Sequence, residues 1–289
     1  MSGRPVEPSA DAVRAFYRGY HDAIRDKRLE SPHPLRRYVH RALLQTTLDC
    51  VADFLRPDAR ILDAGCGEGA LALAMAAEFA ARGVRVVGVD LSQPNLAAGI
   101  LRAREASLEQ RVSLQLADLE RLPFADESFD VVVSSHVLEH LPSFERGLLE
   151  LRRVTRDVLV LGLPTCLNPC ATVILGGDNF WELSRRSPYA FWLGLARTLA
   201  SLGKDGVDEG YVGHKDLPHL WRFPWVMRRQ VEEAAFEILR FEAPTLAIPY
   251  FPALLPGGMR AQGAIDRLRA APVLRNFGYG SLLAARKIR

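Results

Sequence analysis

Cysteine is scarce in this chain, and the few that occur are scattered. Cys50, Cys66, Cys166 and Cys170 are the only four among 289 residues. Cys166 and Cys170 have no second pair and no histidine close by, so a zinc site is not expected. We interpret all four as reduced thiols, which is typical of a cytoplasmic protein.

Long apolar runs are also absent. No segment approaches the ~18 uninterrupted apolar residues that a membrane-spanning helix requires. The first residues, MSGRPVEPSADAV, contain no apolar run, so we expect no secretory signal. These observations predict a cytoplasmic location without a membrane span.

A strong excess of charge of either sign is missing as well. The chain has 37 Lys and Arg against 34 Asp and Glu, which leaves a net charge of +3. A dedicated nucleic-acid binder would usually show a strong basic patch, so nucleic acid is not an expected partner. With 48% hydrophobic residues, the chain can form one large globular domain with embellishments or a small cap.

The most informative stretch is RILDAGCGEGAL at 60–71, where an apolar strand turns into a helix. Gly65, Gly67 and Gly69 permit a sharp turn with positive φ and let a ligand approach the backbone. The following helix offers its free N–H groups and positive dipole end to that ligand. A nucleotide-type ligand is expected, although the pattern also fits the relaxed dinucleotide fingerprint G-x-G-x-x-G/A. A tight turn without a ligand is the structural alternative.

Strand and helix patterns alternate from residue 60 onwards. Strands are predicted at 60–64, 84–89, 112–117, 129–135, 158–163, 236–242 and 279–286, and helices at 10–30, 35–55, 69–82, 94–106, 143–155, 180–202 and 224–235. Strand–helix units in series predict an α/β fold, a Rossmann-like doubly wound sheet with helices on both faces. We predict an N-terminal helical arm or lid at 1–57, a core at 58–165, an inserted cap at 166–222 and the rest of the core sheet at 223–289.

Aspartates stand at the ends of three successive predicted strands: Asp63, Asp90 and Asp118. In a doubly wound sheet these ends line one crevice. Asp90, about 20 residues beyond the glycines, is placed to accept hydrogen bonds from both ribose hydroxyls of a nucleotide. Asp118 could accept from an adenine amino group, and Asp63 from N–H groups of the turn or from a ligand ammonium. Each alone could equally cap a turn, but the three together favour a ligand site.

Four motifs resemble those of class I S-adenosylmethionine (SAM)-dependent methyltransferases. They are DAGCGEG at 63–69, VVGVDLS at 86–92, LADLERLPFADESFDVVVSSHVLEHLP at 116–142 and EEAAFEIL at 232–239. The third is the most specific, because dinucleotide dehydrogenases lack its D-x-x-x-L-P-F…F-D-V-V segment. The resemblance covers about residues 58–165 and 219–287, and it implies a seven-stranded sheet whose last strand is antiparallel.

The resemblance also implies a cofactor site, with SAM as cosubstrate and S-adenosylhomocysteine as product. Asp63, Gly65 and Gly67 would hold the methionine part, Asp90 the ribose, and Asp118 with Leu119 the adenine. Leu91, next to Asp90, and Ser135, at the strand end that would face the methyl donor, complete the predicted set.

The cluster Arg36-Arg37-Tyr38 in the second predicted helix has two interpretations. The helix carries apolar residues at helical spacing, so it could simply pack against the sheet. A guanidinium is also a natural clamp for a ligand carboxylate, which makes Arg37 a candidate cofactor contact.

Histidines are candidates for a general base, because methyl transfer needs an aligned nucleophile and, where required, a proton acceptor. His136 follows the fourth strand directly and is the first choice. His140, one helical turn on, and His214, in the predicted cap, are further candidates, with packing or capping as the alternative for His140. His219 lies in HLWRFPW and is expected to be structural.

His136, Glu139 and His140 have spacings that would place them on one helical face, where they could share a divalent ion. The pattern resembles the E-x-x-E-H metal site of some quinone-type O-methyltransferases. Its first position here is His, however, and V-L-E-H is common in relatives without metal. No metal site is therefore predicted.

The D/N-P-P-Y/F motif of the family's DNA amino-methylating enzymes is replaced here by Ser-Ser-His-Val, so nucleic acid is not the expected substrate. The expected acceptor is a small or medium-sized organic molecule. Aromatic residues in and after the cap suggest a partly apolar pocket, or they form the cap's own core. They are Phe180, Trp181, Tyr189, Phe191, Trp192, Tyr211, Trp221, Phe223 and Trp225. O-methylation in the biosynthesis of natural products or secondary metabolites is favoured over N-methylation. A NAD(P)-dependent oxidoreductase and a non-catalytic SAM-binding protein are the alternatives.

Overall fold

The structure, a computed structural model, describes residues 9–21, 23, 25–209, 217, 219–251 and 256–288. Its helices are α1 (Ala10–Gly19), α2 (Pro34–Ala52), α3 (Ala70–Glu78), α4 (Gln93–Glu105), α5 (Phe144–Val154), α6 (Pro169–Leu175), α7 (Ser187–Ala200), α8 (Pro224–Glu233) and α9 (Gly258–Ile265). Its strands are β1 (Arg60–Ala64), β2 (Arg85–Asp90), β3 (Val112–Leu116), β4 (Phe129–Ser135), β5 (Thr155–Leu163), β6 (Gly206–Asp208), β7 (Leu220–Arg222), β8 (Phe236–Glu242) and β9 (Ser281–Lys287).

Seven of these strands form one sheet in the order β3-β2-β1-β4-β5-β9-β8. β1 is parallel to β2 and β4, and β2 is parallel to β3, whereas β8 and β9 are antiparallel. The predicted seven-stranded Rossmann-like sheet with an antiparallel last strand is confirmed. The parallel pairing brings the carboxyl ends of β1 to β4 to one edge, where a ligand site is expected.

Most predicted bounds agree with the structure, and the differences have local causes. α4 begins close to its predicted start, and Ser92 caps it: the Ser92 Oγ accepts from the N–H of Asn95 at 3.2 Å. α1 is shorter than predicted: it ends at Gly19, a weak helix former, and Tyr20 is extended with φ −72° and ψ 130°. A π-helical turn, Arg25–Leu29, then precedes α2.

α7 begins later than the predicted helix at 180–202. Asn179 Oδ1 accepts from the N–H groups of Trp181 and Glu182 at 3.1 and 2.7 Å, which builds a turn in place of the first helical residues. β5, in contrast, begins at Thr155 rather than Val158. Its first residues are polar, and Arg156 pairs with Asp130 at 2.7 Å, so apolar content alone did not reveal them.

Contacts between Cα atoms divide the chain into two compact units. The first comprises the described parts of 1–22, 55–159 and 208–220, and the second those of 23–54, 160–207 and 221–289. The second unit has its own core, which includes Phe180, Trp221 and Phe223. These three aromatic residues therefore serve the core, as the alternative interpretation of the aromatic set expects.

All four cysteines are buried and carry free thiols. Burial raises the pKa of Cys50 and Cys166 to about 12. Among the residues described, no helix combines the length and the apolar character needed to cross a membrane.

Candidate cofactor-binding and catalytic site

The glycine loop between β1 and α3 is fastened to the end of β2. The N–H of Gly65 donates to the carbonyl of Val89, and that of Gly67 donates to Asp90 Oδ2, both at 2.8 Å. Gly65, Gly67 and Gly69 have φ values of 84°, 53° and 76°. Residues with a Cβ rarely adopt this region, so the backbone favours glycine at all three positions.

Asp90 ends β2, as predicted, and its carboxylate shapes the loop. Oδ1 accepts from the N–H of Ser92 at 2.8 Å, while Oδ2 accepts from Gly67. Burial raises the pKa of Asp90, and hydrogen bonds from the N–H groups of Ser92, Gly67 and Leu91 oppose that rise. Each carboxylate oxygen can accept a second hydrogen bond, so Asp90 can bind ligand hydroxyls without releasing the loop.

Asp63 lies at the end of β1 with 2% of its surface exposed. Burial and then the nearby charge of Asp90 raise its pKa to about 7, against a hydrogen bond from the N–H of Ala72. Its Oδ2 is buried and has no hydrogen-bond partner among the described residues. A buried carboxylate oxygen in need of a donor, beside a second carboxylate, fits a cationic ligand. SAM, which carries an ammonium and a sulfonium, meets that requirement.

Asp118 follows β3, but the N-terminal helix already engages it. Arg14 Nε donates to Asp118 Oδ2 at 2.8 Å, and the same guanidinium contacts Glu120. Asp118 Oδ1 accepts from the N–H of Glu120 at 2.9 Å, and the neighbouring Leu119 is buried. An adenine amino group at Asp118 would therefore share the carboxylate with Arg14.

Further contacts bring the N-terminal residues to the same edge of the sheet. The ring of Tyr17 lies 5.7 Å from that of His140, and the Oγ of Ser92 donates to the carbonyl of Tyr20. α1 and the residues after it therefore lie across the carboxyl ends of β2, β3 and β4. The sequence suggests Arg37 as a clamp for a ligand carboxylate, and none of its patterns indicates the contact of Arg14 with Asp118.

The residue after β4 has an unusual backbone conformation. His136 directly follows Ser135 and has a φ of 58°. Side-chain-bearing residues in this left-handed region are uncommon and concentrate at functional sites. The next residue, Val137, covers the glycine loop: a Cβ built at Gly65 would lie 2.3 Å from Val137 Cγ2. His136 is thereby held beside the loop.

Glu139, which the sequence offers only as a possible metal ligand, lies beside this histidine. Its side chain is 1% exposed, and its Oε1 lies 3.6 Å from His136 Nδ1. A carboxylate at that distance would stabilise the imidazolium that forms when the ring accepts a proton.

His140 and His219 form a stacked pair on the other side of Glu139. Their ring centroids are 4.7 Å apart with 25° between the planes, and His140 Nε2 lies 3.9 Å from Glu139 Oε1. His219 Nδ1 also lies 3.2 Å from Glu209 Oε2. Ligand-type atoms of Glu139, His140 and His219 all lie within 4.8 Å of one another, so the expected absence of a metal stays a prediction.

Two candidates from the sequence are not part of this arrangement as described. Arg37 belongs to α2 in the second unit, where its guanidinium donates to the carbonyl of Ser31. His214 lies outside the described residues. The roles suggested for both stay predictions.

Comparison with known proteins agrees with this geometry. Residues 62–158 match the family model for a methyltransferase domain. That segment contains the glycine loop, the three aspartates and the end of β4. The fold and the match together define a class I SAM-dependent methyltransferase domain, and the chain contains one.

Two curated relatives are similar over this domain. The methyltransferase GfsG from Streptomyces halstedii is 34% identical over 126 residues, which are 41% of this chain and 43% of that protein. The 27-O-demethylrifamycin SV methyltransferase from Amycolatopsis mediterranei is 37% identical over 102 residues, 35% of this chain and 36% of that protein. The matched segment spans at most half of the curated relatives' own length.

The likeness of fold extends over the whole chain. The crystal structure of the [4+2]-cyclase SpnF is 22% identical, covers 99% of both chains and has a TM-score of 0.56. At this identity the comparison concerns the fold alone.

Proposed function

We propose that this protein is a SAM-dependent methyltransferase that transfers a methyl group to an oxygen of a small or medium-sized organic acceptor. When bound, SAM supplies a methyl group activated by its sulfonium. Asp63 with the glycine loop would hold the methionine part, Asp90 the ribose hydroxyls and Asp118 the adenine amino group.

The observation that carries the proposal is the pair of carboxylates at the glycine loop, of which Asp63 is buried and Asp90 is half-buried. Asp63 and Asp90 are close enough for the charge of Asp90 to raise the pKa of Asp63. A cationic ligand relieves the repulsion between two carboxylates, whereas the anionic pyrophosphate of a dinucleotide would add to it. The pair therefore favours SAM over NAD as the ligand of the loop.

The choice of oxygen rests on His136. A hydroxyl acceptor must lose a proton during transfer, and an imidazole is a suitable acceptor near neutral pH. With Glu139 near Nδ1, Nε2 of His136 would take the proton from the hydroxyl. The remaining work of the residues around it is to align the acceptor oxygen with the methyl group and the sulfur.

The acceptor class is proposed from the relatives and from the small net charge of the chain. The names of the two relatives refer to methyltransferases, one of them acting at an oxygen of a rifamycin. An acceptor with some apolar or aromatic character, of the kind made in natural-product biosynthesis, is consistent with the weak net charge of this chain.

The test combines ligand binding with turnover of methyl-labelled SAM on a panel of phenols, alcohols, carboxylic acids and amines. SAM, and not NAD, should raise the Tm of the wild type, and label should appear in hydroxyl compounds. In His136→Asn, which keeps the left-handed backbone accessible, kcat should fall about 100-fold or more while the Kd of SAM is unchanged. Stabilisation by NAD alone would favour the oxidoreductase, and SAM binding without turnover would favour the non-catalytic protein. Full activity of His136→Asn would show that His136 is not the general base.

A further inference from the structure

The hydroxyl of Tyr17, in α1, is buried and has no hydrogen-bond partner among the residues that the structure describes. Burial raises the pKa of this phenol, and the charges of Glu139 and Tyr20 raise it further, so the group keeps its proton at neutral pH. A protonated phenol can donate one hydrogen bond. Within the described part of the chain, the hydroxyl of Tyr17 is therefore a donor without an acceptor.

Packing alone does not explain this hydroxyl. The ring centroid of Tyr17 lies 5.1 Å from that of Phe16 and 5.9 Å from that of Tyr20, and a phenylalanine could make the same ring contacts. A buried polar group without a partner destabilises the folded state, so phenylalanine at this position should fold at least as well as tyrosine. A group that opposes stability in this way is typical of a functional site.

The hydroxyl lies with the residues that follow β4, His136 to His140, which we call the acceptor half of the site. The ring of Tyr17 lies 5.7 Å from that of His140, and the charge of Glu139 acts on its hydroxyl. Glu139 Oε1 in turn lies 3.6 Å from His136 Nδ1. The carboxylates at the glycine loop are not among the described groups that shift the pKa of Tyr17. This placement favours a contact with the acceptor over a contact with the cofactor.

Arg14 fixes the place of Tyr17. The two side chains lie on one face of α1, because residues three apart are neighbours on a helix. The guanidinium of Arg14 pairs with Asp118 and Glu120, which follow β3. α1 therefore reaches from the proposed adenine side of the site to its acceptor half. A donor that is held in place in this way needs no reorganisation during a reaction.

We infer that the Tyr17 hydroxyl donates a hydrogen bond to the acceptor oxygen that receives the methyl group, an inference that rests on the proposed function. A hydroxyl oxygen has two lone pairs. One forms the new bond to the methyl carbon while the carbon–sulfur bond breaks and its electron pair stays on sulfur. The other lone pair accepts from Tyr17, and the proton of the acceptor hydroxyl passes to His136.

The same contact selects oxygen over nitrogen. A neutral amine has a single lone pair, which must point at the methyl carbon in line with the sulfur, so none remains to accept from Tyr17. An amine in this place would leave the Tyr17 hydroxyl buried and unpaired. Sites built to pair with a substrate group discriminate strongly against analogues that leave the protein's own group unpaired. Tyr17 is therefore a specificity-determining residue.

The experiment compares the full-length wild type with Tyr17→Phe on two matched pairs of acceptors, phenol with aniline and 5-indanol with 5-aminoindane. Aromatic amines are used because they are uncharged at neutral pH. In Tyr17→Phe, kcat/KM for the hydroxyl compounds should fall about tenfold or more, while any labelling of the amines stays within about twofold of the wild type. The Kd of SAM should be unchanged. The Tm should be equal or higher, because the variant removes a buried unpaired group.

Tyr250→Phe is the matched control, since the Tyr250 hydroxyl donates to the carbonyl of Asn179 at 2.8 Å. This variant loses a hydrogen bond, so its Tm should fall, while kcat/KM stays as in the wild type. The two substitutions are chemically the same and should change the Tm in different directions. A purely structural role of Tyr17 would instead lower its Tm and leave the preference for oxygen as it is.

Three results in Tyr17→Phe would overturn the inference: unchanged kcat/KM for the hydroxyl compounds, an equal fall for the amines, or a raised Kd of SAM. The last would assign the hydroxyl to the cofactor. Where the wild type labels a different hydroxyl compound of the panel, that compound and its amine analogue form the pair. Failure of the proposed function looks different, because the wild type would then not bind SAM or would label no hydroxyl compound at all.

Discussion

The N–H of Gly67 donates to the carboxylate of Asp90 across 2.8 Å. The side chain proposed to bind the ribose is therefore also the one that holds the glycine loop in shape. Loop geometry and ligand binding are coupled through one carboxylate, so its removal should affect both.

Asp90→Ala should abolish measurable SAM binding while the chain still folds. Hydrogen bonds to a charged group contribute roughly 1.5–3 kcal/mol each, so losing two should raise Kd about 100-fold or more. Titration calorimetry measures Kd, and circular dichroism reports the fold. The matched control is Asp157→Asn, which removes a carboxylate that pairs with Arg56. An unchanged affinity in Asp90→Ala would count heavily against the proposed cofactor.

Local patterns in the sequence were sufficient to predict most of the sheet and the places of Asp63, Asp90 and Asp118 at the ends of its strands. β4 and β8 have the predicted bounds, because a strand inside a sheet requires apolar or alternating residues over a defined length. Asp90 was predicted at a strand end because its position follows from the strand itself. Because the paired strands are parallel, that position lies at the edge of the sheet where their carboxyl ends meet.

Contacts between distant residues could not be predicted in the same way. Arg14 reaches Asp118 across 104 positions, and no periodicity of α1 indicates that partner. Glu68, in the middle of the glycine loop, is fully buried and pairs with Arg102 at 2.5 Å. From the sequence alone, a glutamate in a loop is expected to be exposed. Here the fold places the guanidinium of Arg102 beside it, and that charge compensates for its burial.

The stability of the ligand-free protein should depend on the ionisation of Asp63. Its pKa is about 7 when folded and 3.8 as a free side chain. Between these values the unfolded chain has released the proton and the folded chain still holds it, so the free energy of unfolding should fall as pH rises from about 4 to 7. Urea unfolding at several pH values measures this, and Asp63→Asn should flatten that part of the profile. A profile that is the same in the variant would contradict the assignment.

Gly65→Ala should destabilise the protein more than Gly177→Ala. Both glycines have positive φ, 84° and 89°. A Cβ at Gly65 would collide with Val137, whereas a Cβ at Gly177 would have no neighbouring atom within 4 Å. Gly177→Ala therefore measures the backbone cost alone, on the order of 1–2 kcal/mol. The excess at Gly65 should shrink when Val137→Ala is added, as a double-mutant cycle in urea would show. Equal costs at the two glycines would mean that Val137 does not confine the loop.

Arg14→Gln should loosen α1 from the edge of the sheet. The guanidinium joins α1 to Asp118 and Glu120, and the uncharged glutamine can form neither ion pair. Hydrogen exchange over residues 10–19 should become faster in the variant, while exchange in β1 and β4 stays as in the wild type. Arg18→Gln, at an exposed position of the same helix, is the control. Unaltered exchange in α1 would show that other contacts hold it.

Methyl transfer should not require a metal at Glu139, His140 and His219. The rings of His140 and His219 are stacked with 25° between their planes. Lone pairs of imidazole nitrogens lie in the ring plane, so two stacked rings direct them within nearly parallel planes and not toward one ion. Enzyme dialysed against EDTA should therefore keep its turnover number, with less than stoichiometric metal by mass spectrometry. Loss of activity that a divalent ion restores, with the Kd of SAM unchanged, would instead place a metal in the acceptor half of the site.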